Sequence, residues 1–267
     1  MNQHTDLHAA LAFLFDMDGV LYRGDQPLPG ARELLDYLRV RGLPHLFLTN
    51  NASRTPEQVA AKLRGMGMRA TAEQVLTSAE VAVEDLSRTA RAEDRVLVIG
   101  GAGIRLALAQ SPLSIAERYE EATIVLVGLD LACTYERLAQ AALAVQRGAR
   151  FIGTNGDRSY PTERGLEPGA GALLAAIEAT TGVRPHLYGK PERAMFDAAI
   201  ARIRIEPQHI VMVGDRHETD IVGGARAGCI TVAVASGVED EATLRAGDPT
   251  PDHVFASVAD LHRTLLG

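Results

Sequence analysis

The sequence lacks tryptophan, and aromatic residues make up only 4% of its 267 residues. Aromatic platforms on which nucleic-acid bases stack are therefore not expected. Basic residues are outnumbered as well, because 27 Lys and Arg stand against 34 Asp and Glu, for a net charge of −7. This charge creates no long-range attraction to nucleic acid or to an anionic membrane. We therefore expect neither of these as a partner.

Long apolar runs are also missing, since none approaches the ~20 residues that a helix needs to cross a bilayer. The opening segment, MNQHTDLHAALAFLFD, has no basic leader, which argues against a signal peptide. The two cysteines, Cys133 and Cys229, are far apart in apolar surroundings rich in Ala and Gly. We predict two buried thiols rather than a disulfide, as is typical of a reducing cytoplasm. The expected location is therefore cytoplasmic.

Short apolar runs alternate with helical stretches along most of the chain. The runs are continuous rather than alternating, which indicates strands buried on both faces. The stretches between them have apolar spacings near three and four, which are typical of helices. This alternation predicts an α/β fold with parallel sheets and crossover helices. The predicted strands are Leu11–Phe15, His45–Leu48, Arg95–Ile99, Thr123–Leu129, Arg150–Gly153, His186–Tyr188, His209–Val213, Ile230–Ala235 and Val254–Phe255, and the predicted helices are Ala31–Arg41, Pro56–Met66, Ser78–Thr89, Tyr135–Arg147, Ala170–Thr181, Pro191–Arg204 and Glu218–Ala227.

Reactive side chains follow several of the predicted strands. Asp16 and Asp18 end the first strand, Thr49 ends the second and Asp215 follows the run near residue 210, while Lys190 stands just before a helix. Ligands of a parallel α/β sheet bind outside the carboxyl ends of its strands, so the sheet would bring these side chains together. A turn or a helix cap explains each position alone. Their joint occurrence at equivalent strand ends favours a functional site.

The residue types at these strand ends indicate phosphate chemistry. Clustered carboxylates without a His or Cys ligand set favour a hard cation, and Mg²⁺ is the preferred candidate. A cation beside Lys190 and Thr49 makes an anion site, because the ion and the ammonium can share the oxygens of a phosphate. Carboxylates are known nucleophiles in phosphoryl transfer, through aspartyl-phosphate intermediates. The second acid, Asp18, could donate a proton to the leaving oxygen.

Four sequence motifs resemble those of the haloacid dehalogenase superfamily of hydrolases. They are Asp16–Gly24 (DMDGVLYRG), Leu48–Asn51 (LTNN), Gly189–Pro191 (GKP) and Gly214–Asp220 (GDRHETD). The motif sequences are most similar to those of the NagD-like, 4-nitrophenylphosphatase branch, which also contains phosphoglycolate and pyridoxal phosphatases. The resemblance covers nearly the whole chain, and its first motif is highly specific. It implies a Rossmann-like, doubly wound parallel-sheet core with an inserted α/β cap domain.

The resemblance also implies a role for each residue that matches a motif. Asp16 would be the nucleophile and Asp18 the acid and base. Thr49 and Lys190 would hold the transferred phosphoryl group, and Asn50 would help to shape that pocket.

The same resemblance implies a Mg²⁺ site. Asp215 would bind the ion together with Asp16 and the backbone carbonyl of Asp18, while Asp220 would support the site without binding the ion itself. His217 departs from the pattern, because a larger apolar residue is expected there. We interpret it as a surface residue of the first helical turn that lies close enough to touch substrate.

About 140 residues separate Thr49 from Lys190, whereas a crossover connection needs only about 12. The surplus of roughly 100 residues is enough for a domain of its own. We predict a first core segment at 1–80, a cap domain at 81–183 and a second core segment at 184–267. In the family branch, the cap occupies this position in the chain and roofs the active site.

Two signals lie within the predicted cap. The polar segment Gly153–Pro161 is an ordinary surface loop on its own, but the resemblance points to Asn155 and Asp157 as possible specificity residues that face the core cleft. The segment Val98–Arg105 contains a glycine-rich turn after a strand, as in a dinucleotide-binding fingerprint. Leu106 stands where the third glycine of that fingerprint should be, so we interpret the turn as a tight strand-to-helix connection.

The sequence therefore predicts a two-domain, Mg²⁺-dependent phosphatase that hydrolyses small phosphorylated metabolites through an aspartyl-phosphate intermediate. Sugar phosphates, nucleoside monophosphates, phosphoglycolate and pyridoxal phosphate remain open as substrates, and a homodimer is possible. One alternative is a non-enzymatic nucleotide-binding or regulatory protein on the same fold. Another is a glycosyltransferase that uses the Asp-x-Asp pair only to hold Mg²⁺.

Overall fold

The structure, a computed structural model, describes residues 6–162 and 164–267. Each apolar run that the sequence analysis assigned to a strand overlaps a strand of the structure. Within the described residues, the strands are β1 Ala12–Phe15, β2 Tyr22–Arg23, β3 Gln26–Pro27, β4 His45–Thr49, β5 Val75–Thr77, β6 Arg95–Ile99, β7 Ser114–Ile115, β8 Ile124–Val127, β9 Arg150–Gly153, β10 Ser159–Thr162, β11 Gly165–Pro168, β12 His186–Leu187, β13 Ile210–Gly214, β14 Ile230–Val234 and β15 His253–Phe255.

Helices occupy most of the segments between these strands. The α-helices are α1 Ala31–Val40, α2 Pro56–Gly65, α3 Ser78–Arg88, α4 Ala102–Ala109, α5 Tyr135–Gln146, α6 Ala170–Thr181, α7 Arg193–Ile203, α8 Val222–Ala227, α9 Glu241–Ala246 and α10 Val258–Leu266. Short 3₁₀ turns lie at Leu7–Ala9, Ala72–Gln74 and Pro207–His209, and a π-helical turn covers His217–Ile221.

The chain divides into two units. The first contains the residues up to Thr49, Glu57–Leu76 and Lys190–Gly267, and the second contains Asn50–Pro56 and Thr77–Gly189. The longer segment of the second unit thus runs from Thr77 to Gly189, where the sequence analysis predicts a cap at 81–183, and the unit also includes 50–56. The role of the second unit as a cap stays a prediction.

The first unit is built on a six-stranded sheet with the order β15-β14-β13-β1-β4-β5. The pairings from β15 to β4 are parallel. β1 lies between β13 and β4, so the chain builds the sheet outward from β1 in both directions. This is the doubly wound topology that the sequence predicts, and it creates a switch point at the carboxyl end of β1.

Apolar packing on the sheet positions the strand ends of the first unit. All four residues of β1 are buried. α1 places Leu34, Leu35 and Leu38 in the same core at helical spacing, and α10 adds Leu261. Each fully buried leucine contributes about 1.5–3 kcal/mol relative to an exposed one. The central strands are therefore a rigid support for the residues that follow them.

The second unit has its own parallel sheet, with the order β12-β9-β8-β6-β7. Its core contains Val125 and Val127 of β8, Phe151 of β9, and residues of α5 and α6 such as Ala141 and Leu174. α3 begins with a capping box in which Thr77 accepts from the backbone N–H of Glu80 and the Glu80 carboxylate accepts from that of Thr77. Such a box satisfies N–H groups that the first helical turn leaves free.

Several elements were not predicted from the sequence. β5, α9 and α10 are short or terminal, and their apolar runs are too brief to stand out. The segment interpreted as a polar loop continues into an antiparallel hairpin of β10 and β11. The predicted helix at Glu218–Ala227 is a π-helical turn followed by α8.

The two cysteines are free thiols, as predicted, although only Cys229 is buried and Cys133 is partly exposed. Among the helices of the described residues, none combines the length and the apolarity that crossing a membrane requires.

Candidate active site

The switch point of the first unit carries the predicted acidic residues. The register pairs Phe15 of β1 with Val213 of β13, so that Asp16 and Asp215 leave neighbouring strands at the same end of the sheet. The backbone N–H of Asp16 donates to the carbonyl of Val213 at 2.9 Å. Thr49 ends β4 on the other side of β1 and is buried. The sheet thus gathers three predicted residues at one edge.

Lys190 enters this edge from the segment before α7. Its side chain is only 4% exposed, and its Nζ lies 2.6 Å from Oδ1 of Asp16 and 2.7 Å from Oδ1 of Asp220. Burial alone would lower the pKa of the ammonium, but the two carboxylates outweigh this effect and raise it. Lys190 therefore remains a cation between two carboxylates.

Asp16, Asp215 and Asp220 form an acidic cluster in which one oxygen from each lies within 4.8 Å of the others. Oδ1 of Asp215 is buried and has no hydrogen-bond partner among the described residues. Burial and the charges of Asp16 and Asp220 raise the pKa of Asp215. When all three carboxylates are ionised, as they would be around a bound cation, they and the ammonium leave two negative charges, which match a divalent cation. The oxygen donors and the orphaned Oδ1 fit a hard divalent cation.

Asp220 owes its position to the π-helical turn. The N–H of Val222 donates to the carbonyl of His217, five residues earlier. The Oδ2 of Asp220 accepts from the N–H of Arg216 at 3.2 Å, while its Oδ1 contacts Lys190. Oδ2 is thus hydrogen-bonded, whereas Oδ1 forms an ion pair with Lys190 but no hydrogen bond among the described residues, an arrangement that suits the predicted supporting role.

Asp18 lies beyond the cluster, in the turn after β1. The residue is exposed to solvent, yet enough protein surrounds its carboxyl that burial raises its pKa, with a further contribution from the charge of Asp16. The turn is closed by the N–H of Gly19, which donates to the carbonyl of Tyr22 at 2.8 Å. An accessible carboxyl with a raised pKa suits an acid that meets substrate.

Asn50 and Asn155 belong to the second unit and contact each other. The Nδ2 of Asn155 donates to the backbone carbonyl of Asn50 at 2.6 Å, and the hydroxyl of Ser78 donates to the same carbonyl at 2.9 Å. Asn155 is only 3% exposed. Its side chain therefore fixes the backbone that directly follows Thr49 in the chain.

Asp157 lies next to this pair in the second unit. Its backbone N–H donates to Oδ1 of Asn155 at 3.0 Å, and its Oδ1 accepts from Nδ2 of Asn50 at 3.4 Å. The structure thus brings the three residues together within one unit. Contact of Asn155 or Asp157 with a substrate stays a prediction.

His217 is held by the protein itself. Its ring Nε2 lies 2.8 Å from the carbonyl oxygen of Pro249, and its backbone N–H donates to the carboxylate of Glu239 at 3.2 Å. A Cβ on Gly247 would overlap the imidazole ring. These contacts give His217 a structural role.

The glycine-rich turn before α4 packs against residues 52–54 of the same unit. The N–H of Gly103 donates to the carbonyl of Ser53 at 3.3 Å. A Cβ on Gly103 would overlap the carbonyl oxygens of Ala52 and Arg54, and one on Gly101 would crowd Ser53. These glycines admit the 52–54 segment, so the tight-turn interpretation accounts for them without a nucleotide.

Sequence reasoning missed the loop that contacts Asp215. The N–H of Val238 donates to Oδ2 of Asp215 at 2.8 Å. A backbone donor leaves no mark in the residue type, so only the Ser236-Gly237 pair after β14 could have indicated a close-packed turn.

Known protein families and curated proteins match this chain in sequence. A sequence model described as haloacid dehalogenase-like hydrolase matches residues 13–113, and a second, HAD-hydrolase-like model matches residues 187–261. The acid sugar phosphatase of Staphylococcus haemolyticus is 40% identical over 243 residues, which cover 91% of this chain and 92% of the relative.

Solved structures with the same fold extend over nearly the whole chain. The 4-nitrophenylphosphatase of Thermotoga maritima has a TM-score of 0.91 and 32% identity, with 97% of this chain and 98% of that chain covered. NagD from E. coli has a TM-score of 0.88 and 31% identity, with coverages of 94% and 98%. The glycerol phosphate phosphatase of Mycobacterium tuberculosis, solved in complex with calcium, has a TM-score of 0.89 and 36% identity, with coverages of 96% and 76%.

These matches favour the phosphatase interpretation over a glycosyltransferase or a regulatory protein without activity. The family matches include the segments that carry Asp16, Thr49, Lys190 and Asp215. The chain belongs to the haloacid dehalogenase-like hydrolases, as a phosphatase of the branch that contains NagD and the 4-nitrophenylphosphatases.

Proposed function

We propose that this protein is a Mg²⁺-dependent phosphatase that hydrolyses small phosphorylated metabolites through an aspartyl-phosphate intermediate on Asp16. The observation that carries the proposal is the acidic cluster at the switch point, in which Oδ1 of Asp215 has no hydrogen-bond partner among residues 6–162 and 164–267, while Lys190 bridges Asp16 and Asp220. A cluster with this excess of negative charge is suited to a cation and, with it, to a phosphate.

Asp16 and Asp215 would hold the Mg²⁺, together with the backbone carbonyl of Asp18. When bound, the ion would neutralise charge on the transferring phosphoryl oxygens. Mg²⁺ is preferred to softer ions because every available side-chain donor in the cluster is a carboxylate oxygen. The calcium in the structure of the mycobacterial relative supports a site for a hard divalent cation in this family.

In the first step, a carboxylate oxygen of Asp16 forms a bond to phosphorus while the bond from phosphorus to the leaving oxygen breaks. Lys190 and Thr49 orient the phosphoryl group, with Lys190 contributing positive charge beside the nucleophile. Asp18 donates its proton to the departing oxygen, so the leaving group departs as an alcohol.

In the second step, Asp18 takes a proton from water, which attacks the phosphorus of the aspartyl phosphate. The bond between phosphorus and Asp16 breaks, inorganic phosphate leaves, and the carboxylate of Asp16 is restored. Asp18 has then regained the proton that it donated, so the cycle closes with one water consumed.

Alkyl phosphates of small sugars or polyols are the preferred substrate class. The relatives named for their substrates include an acid sugar phosphatase and a glycerol phosphate phosphatase, whose leaving groups are alkoxides. The acid that Asp18 would supply is most useful for such basic leaving groups. A cytoplasmic location and a homodimer stay predictions.

Phosphate release from 4-nitrophenyl phosphate, with Mg²⁺ and with excess EDTA, tests the reaction class. We expect turnover with Mg²⁺, loss of turnover in EDTA and recovery when Mg²⁺ is restored. A panel of sugar, polyol, nucleoside and pyridoxal phosphates with phosphoglycolate then tests the substrate class. Activity that persists in EDTA would contradict the metal requirement, and a preference for nucleotides would contradict the substrate class.

A further inference from the structure

The loop of Ser236, Gly237 and Val238 follows β14 and lies against the carboxyl of Asp215. Val238 donates its N–H to Oδ2 of Asp215 at 2.8 Å. A Cβ on Gly237 would overlap the same carboxyl, so the loop backbone packs directly on it. Val238 as a residue is 65% exposed. The loop therefore acts on Asp215 through its backbone, and Oδ1 of Asp215 is left without a hydrogen bond to any residue that the structure describes.

The same loop holds the turn that follows Asp16. The hydroxyl of Ser236 donates to the carbonyl oxygen of Gly19 at 2.8 Å. Gly19 has a φ of +84°, which L side chains rarely adopt, and a Cβ there would overlap Oδ2 of Asp215. The turn and the loop thus close around one carboxyl. The hydroxyl of Ser236 joins the segment that carries Asp16 to the segment that orients Asp215.

The hairpin of β2 and β3 adds a second connection to the loop. The Nη2 of Arg23 donates to the carbonyl oxygen of Ser236 at 2.7 Å. Arg23 follows Tyr22, whose carbonyl accepts the N–H of Gly19 at 2.8 Å. These contacts form a closed ring through Gly19, Tyr22, Arg23 and Ser236. Because Arg23 is exposed and the Ser236 hydroxyl contact is partly buried, the hydroxyl is the better-shielded connection.

We propose that Ser236 is a positioning residue for the cation site, an inference that rests on the function proposed above. Asp16 and Asp215 lie on separate strands, and a cation that needs both requires the two segments to stay in register. Groups that hydrogen-bond metal ligands fix ligand orientation, and their loss typically costs 10–100-fold in metal affinity. Ser236 touches no ligand side chain, so it would act through the Gly19 turn and through the loop backbone that it belongs to.

Isothermal titration calorimetry of Mg²⁺ binding to the full chain, without substrate, tests this role. Ser236→Ala removes the hydroxyl, and Ser236→Thr retains it. Ser257→Ala is the matched control, because the Ser257 hydroxyl donates to Asp260 at 2.8 Å in the same unit. We expect the Kd for Mg²⁺ to rise about 10-fold in Ser236→Ala. Ser236→Thr and Ser257→Ala should bind Mg²⁺ as the parent does.

A Kd in Ser236→Ala equal to that of Ser257→Ala would overturn the inference while leaving the metal site in place. A parent chain that binds no Mg²⁺ would overturn the proposed metal site and this inference with it. Thermal unfolding without Mg²⁺ separates lost folding from lost affinity. If Ser236→Ala does not fold, Ser236→Cys carries the same test, because a thiol is a much weaker donor than a hydroxyl.

Discussion

At the scale of single residues, the ion pairs of Lys190 determine how charge is distributed in the acidic cluster. Its ammonium is buried between Asp16 and Asp220, each within 2.7 Å. An isolated buried charge would be costly, but two carboxylates compensate it. Within the described part of the chain, Asp215 forms no ion pair, and its Oδ1 has no hydrogen-bond partner. Lys190 therefore offsets only one of the two charges of Asp16 and Asp220, and Asp215 adds a further carboxylate that a cation can neutralise.

Removing the Asp215 carboxylate should weaken Mg²⁺ binding and so raise the Mg²⁺ concentration that activity requires. In Asp215→Ala, we expect the Mg²⁺ concentration for half-maximal activity to rise at least about 10-fold, because Mg²⁺ binds through few carboxylates and each is a large share of its site. Asp197→Ala is the control, since Asp197 pairs with Arg193 on the exposed side of α7. An unchanged Mg²⁺ titration in Asp215→Ala would place the ion elsewhere.

Asp18 should matter more for poor leaving groups than for good ones. A nitrophenolate leaves largely unaided, whereas an alkoxide must be protonated as its bond breaks, and such help is worth roughly 10²–10⁴-fold. In Asp18→Asn, the single-turnover rate of aspartyl-phosphate formation should fall further with glycerol phosphate than with 4-nitrophenyl phosphate. Equal losses for the two substrates would show that Asp18 is not the acid.

At the scale of elements, the turns that follow strands carry most of the specific geometry. The π-helical turn aims Asp220 at Lys190, and the Ser236–Val238 loop orients Asp215. In the second unit, the start of α4 accepts the 52–54 segment against its glycines. Regular strands and helices position these turns, but backbone contacts within the turns fix the side chains.

The glycine at the start of α4 should not tolerate a side chain. Gly103→Ala would force a methyl group against the carbonyls of Ala52 and Arg54, and we expect a loss of about 1–3 kcal/mol in the free energy of unfolding. Gly65→Ala is the control, because a Cβ at the end of α2 meets nothing within 4 Å. Urea unfolding compares the two, and equal stabilities would contradict this packing.

Much of the fold could be predicted because strands buried on both faces give continuous apolar runs, as at Arg95–Ile99. The acidic cluster followed from strand ends that a parallel sheet must bring together. The contact between Lys190 and Asp220 could not be predicted, because it depends on a π-helical turn that the helical spacing of Glu218–Ala227 does not distinguish from an α-helix. The hydrogen bond from Val238 to Asp215 could not be predicted either, because its donor is a backbone N–H, which every residue type except proline has.

At the scale of the whole molecule, His45 links stability to pH. His45 is buried at the start of β4, and its ring nitrogens contact the carbonyl of Leu43 at 3.3 Å and Nε2 of Gln74 at 3.0 Å. Burial lowers its pKa below the ordinary value, even though the bond to Leu43 opposes this. His45 is therefore protonated more readily in the unfolded chain than in the folded chain. The contribution of neutral His45 to the free energy of unfolding is lost as the pH falls below about 6.5.

The free energy of unfolding should consequently depend less on pH in His45→Gln than in the parent. Between pH 7.5 and pH 5.5, we expect the parent to lose more stability than the variant, by up to about 1.4 kcal/mol for each unit by which the pKa is lowered. Denaturant unfolding at the two pH values measures both losses. A variant that loses as much stability as the parent would show that His45 is not the group responsible.

The most direct test of the central claim asks whether Asp16 becomes phosphorylated. In Asp18→Asn, 4-nitrophenyl phosphate should still react in the first step, because its leaving group needs little protonation, whereas the second step should stall without its base. Rapid mixing with radiolabelled substrate, an acid quench and mapping of the label should give a burst of about one nitrophenolate per chain. The phosphate should then be on Asp16, and it should be absent from the Asp16→Asn, Asp18→Asn double variant. Nitrophenolate and inorganic phosphate released in equal amounts from the first turnover, with no label on the protein, would contradict the aspartyl-phosphate mechanism.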